Sequence, residues 1–373
     1  QLGKLRNGGD YWLSCAGPSD RFGRMAQAIR PRCAPGAKIQ ACCSHEVATV
    51  PFVPVPGQLY RKYRAMRQLG VEHVIQCWFF GNYPGLMNRA AGKLAFEEFT
   101  GSEESFLEEL AAPEWGRRNA PLLAKVWQLF SAAYANYPLD IQFQYYGPMH
   151  DGPVWPLHLK QVMRPLPRSW KPDAEPAGDF IGEALVQHDL REAAVLARRL
   201  ADGWKRGMEQ LDAVRREYQD HPARRRDISL MEALELLFRS GADILEFYLL
   251  RARLLEDPPD APAVLRRLEA IAAAEIALSR RLAALCESDP RLGYHSEAEV
   301  CKYYPEKLRW RAEWLERALA TDFAACRRKM AAGVPPSRIL AGPLPHRRPG
   351  RRYRSGSCRW RAETDAAALR LTV

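Results

Sequence analysis

The sequence lacks the patterns that identify common metal sites. Nine cysteines are present, but none follow C-x-x-C spacing, and Cys42 and Cys43 are adjacent. Zinc sites and disulfide frameworks leave regular cysteine spacings, so no metal, no cofactor and mostly free thiols are expected. His45-Glu46 does not extend to H-E-x-x-H, because position 49 is a threonine, and this excludes the zinc-protease motif.

Signals for a membrane or a secretory route are also lacking. No apolar run approaches the roughly 20 residues that cross a bilayer, so no membrane partner is expected. The chain starts at Gln1 without the pattern of a signal peptide. The compartment therefore stays open, although free thiols favour the cytoplasm.

Basic charge is unevenly spread. The net charge is +11, and residues 341–373 hold eight arginines against Glu363 and Asp365, a surplus of six. The rest of the chain carries the other five positive charges, which is only mildly basic. A nucleic-acid partner is therefore the weakest of three functional hypotheses, because it depends on this tail alone.

The first hundred residues alternate short apolar runs with helical patterns. Strands are predicted at 11–16, 38–43 and 73–79, with helices at 21–29 and 58–69 between them. This order is typical of a parallel sheet. Three strands alone leave two open sheet edges, so more strands are expected upstream, and the chain by itself is expected to aggregate or to form oligomers.

The predicted fold class is α/β plus all-α. Residues 1–100 are expected to be the last strands of a (β/α)8 TIM barrel. Residues 101–335 show helical periodicity and predict a helical domain, interrupted by an irregular aromatic loop at 143–156. Residues 336–373 lack helical periodicity and predict a basic, disordered tail.

Glu46 is the candidate catalytic residue. It follows the second predicted strand, and barrel enzymes carry reactive groups at the carboxyl ends of their strands. His45, beside it, is a candidate substrate-binding residue. The alternative is that Glu46 is an ordinary loop carboxylate paired with an arginine.

Further substrate-binding candidates come from two aromatic segments. Trp78 ends the third predicted strand and could stack on the apolar face of a sugar, or pack between barrel and helices. Asn82 and Tyr83 follow in a loop bounded by glycine and proline, where they could bind hydroxyl groups.

The loop at 143–156 is as polar and aromatic as a binding loop. Its candidates are Tyr146, His150 and Asp151, and a purely structural connection is an equal alternative. His295 and Glu297 precede a predicted helix at 297–330. They are weaker candidates, because a solvated glutamate in the first turn of a helix is common.

Six blocks of the sequence, in their order and spacing, resemble a group of large bacterial glycoside hydrolases and hexosaminidase-like barrel proteins. The chain departs from these proteins at His45, where a tryptophan is expected, and it has none of their upstream barrel strands. The blocks are Ser44–Pro51, Cys77–Gly85, Trp127–Pro138, Gly147–Leu157, Gly203–Gly207 and Asp289–Tyr294.

The resemblance implies a C-terminal fragment of a glycoside hydrolase with a carbohydrate substrate. If the strands before Glu46 and Trp78 are the seventh and eighth of a barrel, Glu46 would be the nucleophile of a retaining enzyme, with its acid/base partner before Gln1. In enzymes of the hexosaminidase type, Glu46 would only bind hydroxyl groups. The remaining alternative is a non-catalytic carbohydrate-binding or interaction protein.

Overall fold

The computed structural model describes residues 1–3, 12–43, 45–76, 85–97, 101–167 and 175–342, and helices dominate these residues. The helices are α1 (Asp20–Ile29), α2 (Pro56–Gln68), α3 (Leu86–Phe96), α4 (Glu103–Tyr134), α5 (Phe143–Tyr146), α6 (Leu190–Arg215), α7 (Pro222–Leu254), α8 (Ala261–Ser288), α9 (Pro305–Ala318), α10 (Ala324–Ala331) and α11 (Pro336–Leu340).

Two strands near the N-terminus form a small parallel sheet. Strand β1 (Gly36–Ile39) pairs with β2 (His73–Gln76), with Gly36 opposite His73, and helix α2 connects the two strands. The second and third predicted strands are therefore parallel neighbours, each four residues long.

The predicted barrel is wrong for the described residues. A barrel needs a closed ring of paired strands, whereas only two short parallel strands pair here. The first predicted strand does not form: the N–H groups of Leu13 and Ser14 donate to the Glu46 carboxylate at 2.9 and 3.1 Å instead of to a neighbouring strand. The chain also leaves β1 after Ile39, and the buried Cys42 carbonyl accepts the Val53 N–H at 2.7 Å.

A β-hairpin replaces the start of a predicted helix. Strands β3 (Tyr294–His295) and β4 (Val300–Cys301) are antiparallel, and the turn between them contains Ser296 and Glu299. The helix expected from residue 297 begins at Pro305 as α9. This hairpin brings His295 and Glu297 into the site described below.

The long helices pack in chain order: α4 against α6, α6 against α7, α7 against α8, and α8 against α9. Two glycines of α6 allow its close approach to α4. A Cβ atom on Gly207 would lie 2.4 Å from the ring of Phe130, and one on Gly203 would lie 2.8 Å from the Cβ of Ala133. Trp204 stacks on Phe130 with ring centroids 3.9 Å apart. Interhelical packing thus accounts for the Gly203–Gly207 block.

The helical part extends beyond residue 335. Helix α11 includes buried Ile339 and Leu340, and Ser337 donates to Asp257 at 2.6 Å. The arginine-rich residues 343–373 lie outside the described part of the chain. No disulfide links the cysteines of the described residues. None of the described helices combines the length and apolarity needed to cross a bilayer.

Candidate functional site

Three segments that are distant in sequence meet around Thr49. The hydroxyl of Thr49 donates to the His150 carbonyl at 2.8 Å. The Thr49 carbonyl accepts the Gly293 N–H at 2.9 Å and the Tyr303 hydroxyl at 3.2 Å. Residues 45–53, the aromatic loop and the β3–β4 hairpin are therefore joined at one point.

Gly293 is required for this junction. Its φ of +94° lies in the left-handed region, and a Cβ atom there would lie 2.0 Å from the Tyr303 carbonyl oxygen. Only glycine combines this backbone conformation with such a close approach. The Gly293 carbonyl also accepts the Lys302 N–H at 2.7 Å, which closes the hairpin next to the site.

A cluster of ionisable side chains occupies the junction, and its acidic and histidine members come from all three segments. We call this cluster the histidine site: His45, His150, His295, Asp151, Glu297 and Lys302.

His150 is a structural member of the histidine site. Its side chain is fully buried, and Nδ1 accepts the Ala48 N–H at 3.0 Å. A backbone N–H can only donate, so the ring proton is on Nε2, which donates to the Gln144 carbonyl at 2.6 Å. Burial lowers the pKa of His150 to about 4. The ring is therefore neutral near pH 7, with both nitrogens in use.

His295 packs against His150, with ring centroids 5.5 Å apart. Its Nδ1 accepts the Ala298 N–H at 3.2 Å, which fixes the hairpin turn. Burial, followed by the effects of His150 and Lys302, lowers the pKa of His295 to about 2. This second imidazole is also neutral, so two neutral rings pack together without charge repulsion.

His45 lies at the outer side of the cluster. Its Nδ1 is 3.2 Å from Oε2 of Glu297, whose side chain is 33% exposed. The edge of the Tyr145 ring meets His45 at a centroid distance of 4.9 Å. Burial, followed by the effect of His150, lowers the pKa of His45 to about 4. His45, Tyr145 and Glu297 thus place an imidazole, a phenol and a partly exposed carboxylate together.

Asp151 and Lys302 form a buried ion pair within the histidine site. One Asp151 oxygen accepts the indole N–H of Trp155 at 2.8 Å, and the other lies 3.3 Å from the Lys302 ammonium. Both side chains are buried. Because the carboxylate is paired with a cation and a donor, its burial is compensated. Asp151 therefore fixes the loop to the hairpin.

Glu46 follows His45 in the chain, but its carboxylate has separate partners. Both oxygens accept backbone N–H groups from the 12–14 segment, and the side chain is completely buried. Burial, followed by the effect of Glu46, raises the pKa of two buried tyrosines, Tyr134 and Tyr137, above the ordinary value. In this structure Glu46 anchors the segment that was predicted to be a strand.

The structure brings some of the sequence-predicted site residues together and separates others. His45, His150 and Asp151 come together, and so do the weaker candidates His295 and Glu297. Tyr146 is half-buried at the end of α5 and packs against the core. Three candidates lie outside the described residues: Trp78, Asn82 and Tyr83.

Sequence reasoning missed Tyr145 and Lys302. Tyr145 is adjacent to the candidate Tyr146, so the aromatic composition of the loop at 143–156 was the signal that could have identified it. Lys302 carries no signal, because a single lysine between a cysteine and a tyrosine is compatible with any surface strand. Among the described residues, no group of three or more histidine, cysteine, aspartate or glutamate side chains is arranged to hold a metal ion.

Comparisons of this chain with models of protein families, with curated proteins and with solved structures find no match.

Proposed function

We propose that the histidine site binds a carbohydrate through His45, Tyr145 and Glu297. The proposal is supported above all by one observation: the His45 imidazole lies 3.2 Å from a partly exposed Glu297 carboxylate and packs against the Tyr145 ring. Its other support is the resemblance of the sequence blocks to carbohydrate-active proteins.

The chemistry of the three side chains suits a sugar. Hydroxyl groups both donate and accept, and a neutral imidazole offers one donor and one acceptor. Glu297 offers acceptors only, and a hydrogen bond to its charge is stronger than a neutral one. The half-buried Tyr145 ring adds an apolar surface with a polar end, which suits a ligand that has both C–H faces and hydroxyl groups.

The remaining members of the site would position these three. His150 and Asp151 have their polar atoms engaged by Ala48, Gln144 and Trp155. They hold the aromatic loop that carries Tyr145 close to residue 45. In this proposal Glu46 also acts by positioning, because it is buried and fastens the segment next to the site.

Binding can be tested with an array of glucose, galactose and N-acetylglucosamine oligosaccharides, followed by calorimetry on the strongest ligand. We expect His45→Ala and Glu297→Gln to weaken binding by roughly tenfold or more, the equivalent of a charge-assisted hydrogen bond. Glu299→Gln is the matched control, because Glu299 is exposed in the same hairpin turn.

Two results would contradict the proposal. One is that the wild-type protein binds none of the sugars, and the other is that Glu297→Gln and Glu299→Gln bind equally. Hydrolysis is measured separately with aryl glycosides. Turnover of any of them by the wild-type protein would support the hydrolase hypothesis that comes from the resemblance.

A further inference from the structure

A cavity with an excess of cationic side chains lies at the N-terminal ends of α3 and α7. Its volume is about 230 Å³, and its lining includes Arg89 from α3, Arg224 and Arg226 from α7, and Arg291 from the segment before β3. Pockets for drug-sized ligands measure roughly 300–1,000 Å³, so this cavity fits a smaller group. Its chemistry differs from that of the histidine site, because guanidinium groups dominate it.

We propose that this cavity binds the phosphate group of a small molecule. Four arginines from three parts of the chain line it, and the planar fork of arginine matches phosphate oxygens in pairs. Glu114 and Asp227 in the lining pair with Arg89 and Arg224, and Asp289 beside the cavity holds Arg291 at 2.6 Å. The charge of the fourth arginine, Arg226, is left over.

The ion pairs show which arginines are held and which can bind. Arg224 contacts both Glu114 and Asp227, although its Nε has no hydrogen-bond partner. Arg89 lies 2.7 Å from Glu114. By contrast, Arg226 is exposed and is not within ion-pair distance of any described carboxylate. Arg226 is therefore the cation that is best placed to take a new anion.

The nearly buried Arg224 is the second observation that indicates a ligand. Its side chain is 9% exposed, and it lines the cavity while the ring of Trp115 covers the guanidinium at 5.2 Å. Burying a guanidinium with an unpaired N–H group costs free energy unless a partner is supplied. A phosphate in this cavity would add acceptors next to a cation that the protein itself leaves incompletely paired.

Two helix ends contribute in the same direction. Gly85, which lines the cavity, is the N-cap of α3 and has no side chain that could cap the first amides of this helix. Ala223 and Arg224 also line the cavity and lie in the first turn of α7, where the His221 side chain already accepts the Arg224 N–H. The N-terminal end of a helix carries a partial positive charge and favours phosphate.

Burial raises the pKa of Asp227 to about 6, although Arg224 opposes this shift. Part of the acidic charge in the lining is therefore neutralised just below neutral pH. The net charge of the cavity lining then becomes more positive, which favours the binding of an anion over that of a cation.

The experiment is calorimetric titration with inorganic phosphate at low ionic strength, with sodium chloride of equal ionic strength as the reference. Arg226→Ala should weaken binding by roughly tenfold or more. Arg225→Ala is the matched control, because Arg225 is also exposed, is adjacent in the same helix and is not among the residues that line the cavity. Asp227→Asn should tighten binding by up to about fivefold, since it removes a negative charge from the wall.

Circular dichroism on each variant verifies that the helices are intact. Weaker binding in Arg226→Ala together with tighter binding in Asp227→Asn supports the proposal. No binding to the wild-type protein, the same heat with sodium chloride, or equal binding by Arg226→Ala and Arg225→Ala overturns it. The sugar experiments use different residues, so either proposal can fail while the other holds.

Discussion

Arg311 on α9 and Glu275 on α8 form an ion pair at 2.6 Å in which both side chains are completely buried. Arg311 also donates to the Trp155 carbonyl at 2.9 Å, and Ser240 donates to Glu275 at 2.6 Å. The pair thus fastens the end of the aromatic loop to α7, α8 and α9.

Replacing Arg311 with methionine should destabilise the protein strongly. The substitution leaves the Glu275 carboxylate buried without its cation, and breaking a buried pair costs about 3–5 kcal/mol. Urea unfolding at pH 7 measures this loss. The matched control is Arg309→Met on the same helix, which removes an exposed pair with Glu287 and should cost about 1 kcal/mol or less. Equal losses in the two variants would show that burial of the pair is unimportant.

Replacing Gly207 with alanine should also destabilise the protein. The new methyl group would lie 2.4 Å from the Phe130 ring, so α4 and α6 would have to move apart. Overpacking of this kind costs about 1–3 kcal/mol. Gly92→Ala in α3 is the control: nothing lies within 4 Å of its Cβ position, so alanine should stabilise the helix by about 0.5–1 kcal/mol. Thermal unfolding of both variants tests whether the melting temperature falls in Gly207→Ala and rises in Gly92→Ala. The packing explanation fails if Gly207→Ala leaves the melting temperature unchanged.

Stability should fall as the medium becomes acidic, because His150 and His295 are neutral in the folded protein. Their folded pKa values are about 4 and about 2, below the ordinary value of 6.5 in the unfolded chain. Between pH 6.5 and about 4 the unfolded chain therefore binds protons that the folded protein does not. The contribution of these two histidines to the free energy of unfolding should be flat above pH 7 and decrease by about 1.4 kcal/mol per pH unit for each of them between pH 6.5 and about 4.

The variant His150→Gln tests this pH dependence. It removes one of the titrating groups, so the slope of the free energy of unfolding below pH 6.5 should become shallower by about 1.4 kcal/mol per pH unit. His73→Gln, at an exposed position of β2, controls for the general effect of removing a histidine. An unchanged slope in His150→Gln would mean that His150 already carries a proton in the folded protein.

Removing the Glu46 carboxylate should loosen the 12–14 segment. In Glu46→Ala the N–H groups of Leu13 and Ser14 lose their acceptor in a buried environment, which costs about 1–3 kcal/mol for each unpaired group. Hydrogen exchange at these two amides and urea unfolding measure the effect. Protection that is unchanged in the variant would show that other acceptors hold the segment.

Local sequence patterns predicted the helices better than their ends. In α7 the helical periodicity corresponds to buried Leu230, Leu234 and Leu245, whereas the helix that was expected from residue 297 begins only at Pro305. Proline is favourable at the start of a helix, and it occupies the first position of both α7 and α9. A capping box from Asp189 to Glu192 opens α6.

The barrel prediction failed because short apolar runs do not specify a strand. Cys42 and Cys43 are buried, as expected of a central strand, but they belong to an irregular segment that packs against other parts of the core. For the first predicted strand the deciding partner was Glu46, 32 residues or more away in the sequence. Periodicity within a window of a few residues contains no information about such a partner.

The candidate site was predictable only in part, because its residues show local signals but their association depends on long-range contacts. His45, His150 and Asp151 are polar residues in segments rich in glycine, proline and aromatic residues, and such loops often carry function. Their association depends on Thr49, which contacts residues more than 100 and more than 250 positions away. The contribution of Lys302 follows only from the three-dimensional arrangement.

The hydrogen bond from Tyr303 to Thr49 joins residues 254 positions apart. This hydrogen bond closes a loop of that length, and closing so long a loop costs entropy. The helices between Thr49 and Tyr303 supply the contacts that offset this cost, so we expect them to assemble before the hydrogen bond forms. The Gly293 amide, which donates to the same carbonyl, should therefore be among the last to gain protection during refolding. A ligand of the histidine site would bind only the folded chain and not the unfolded chain. Its binding would therefore raise the melting temperature of the whole part of the chain from α2 to α9.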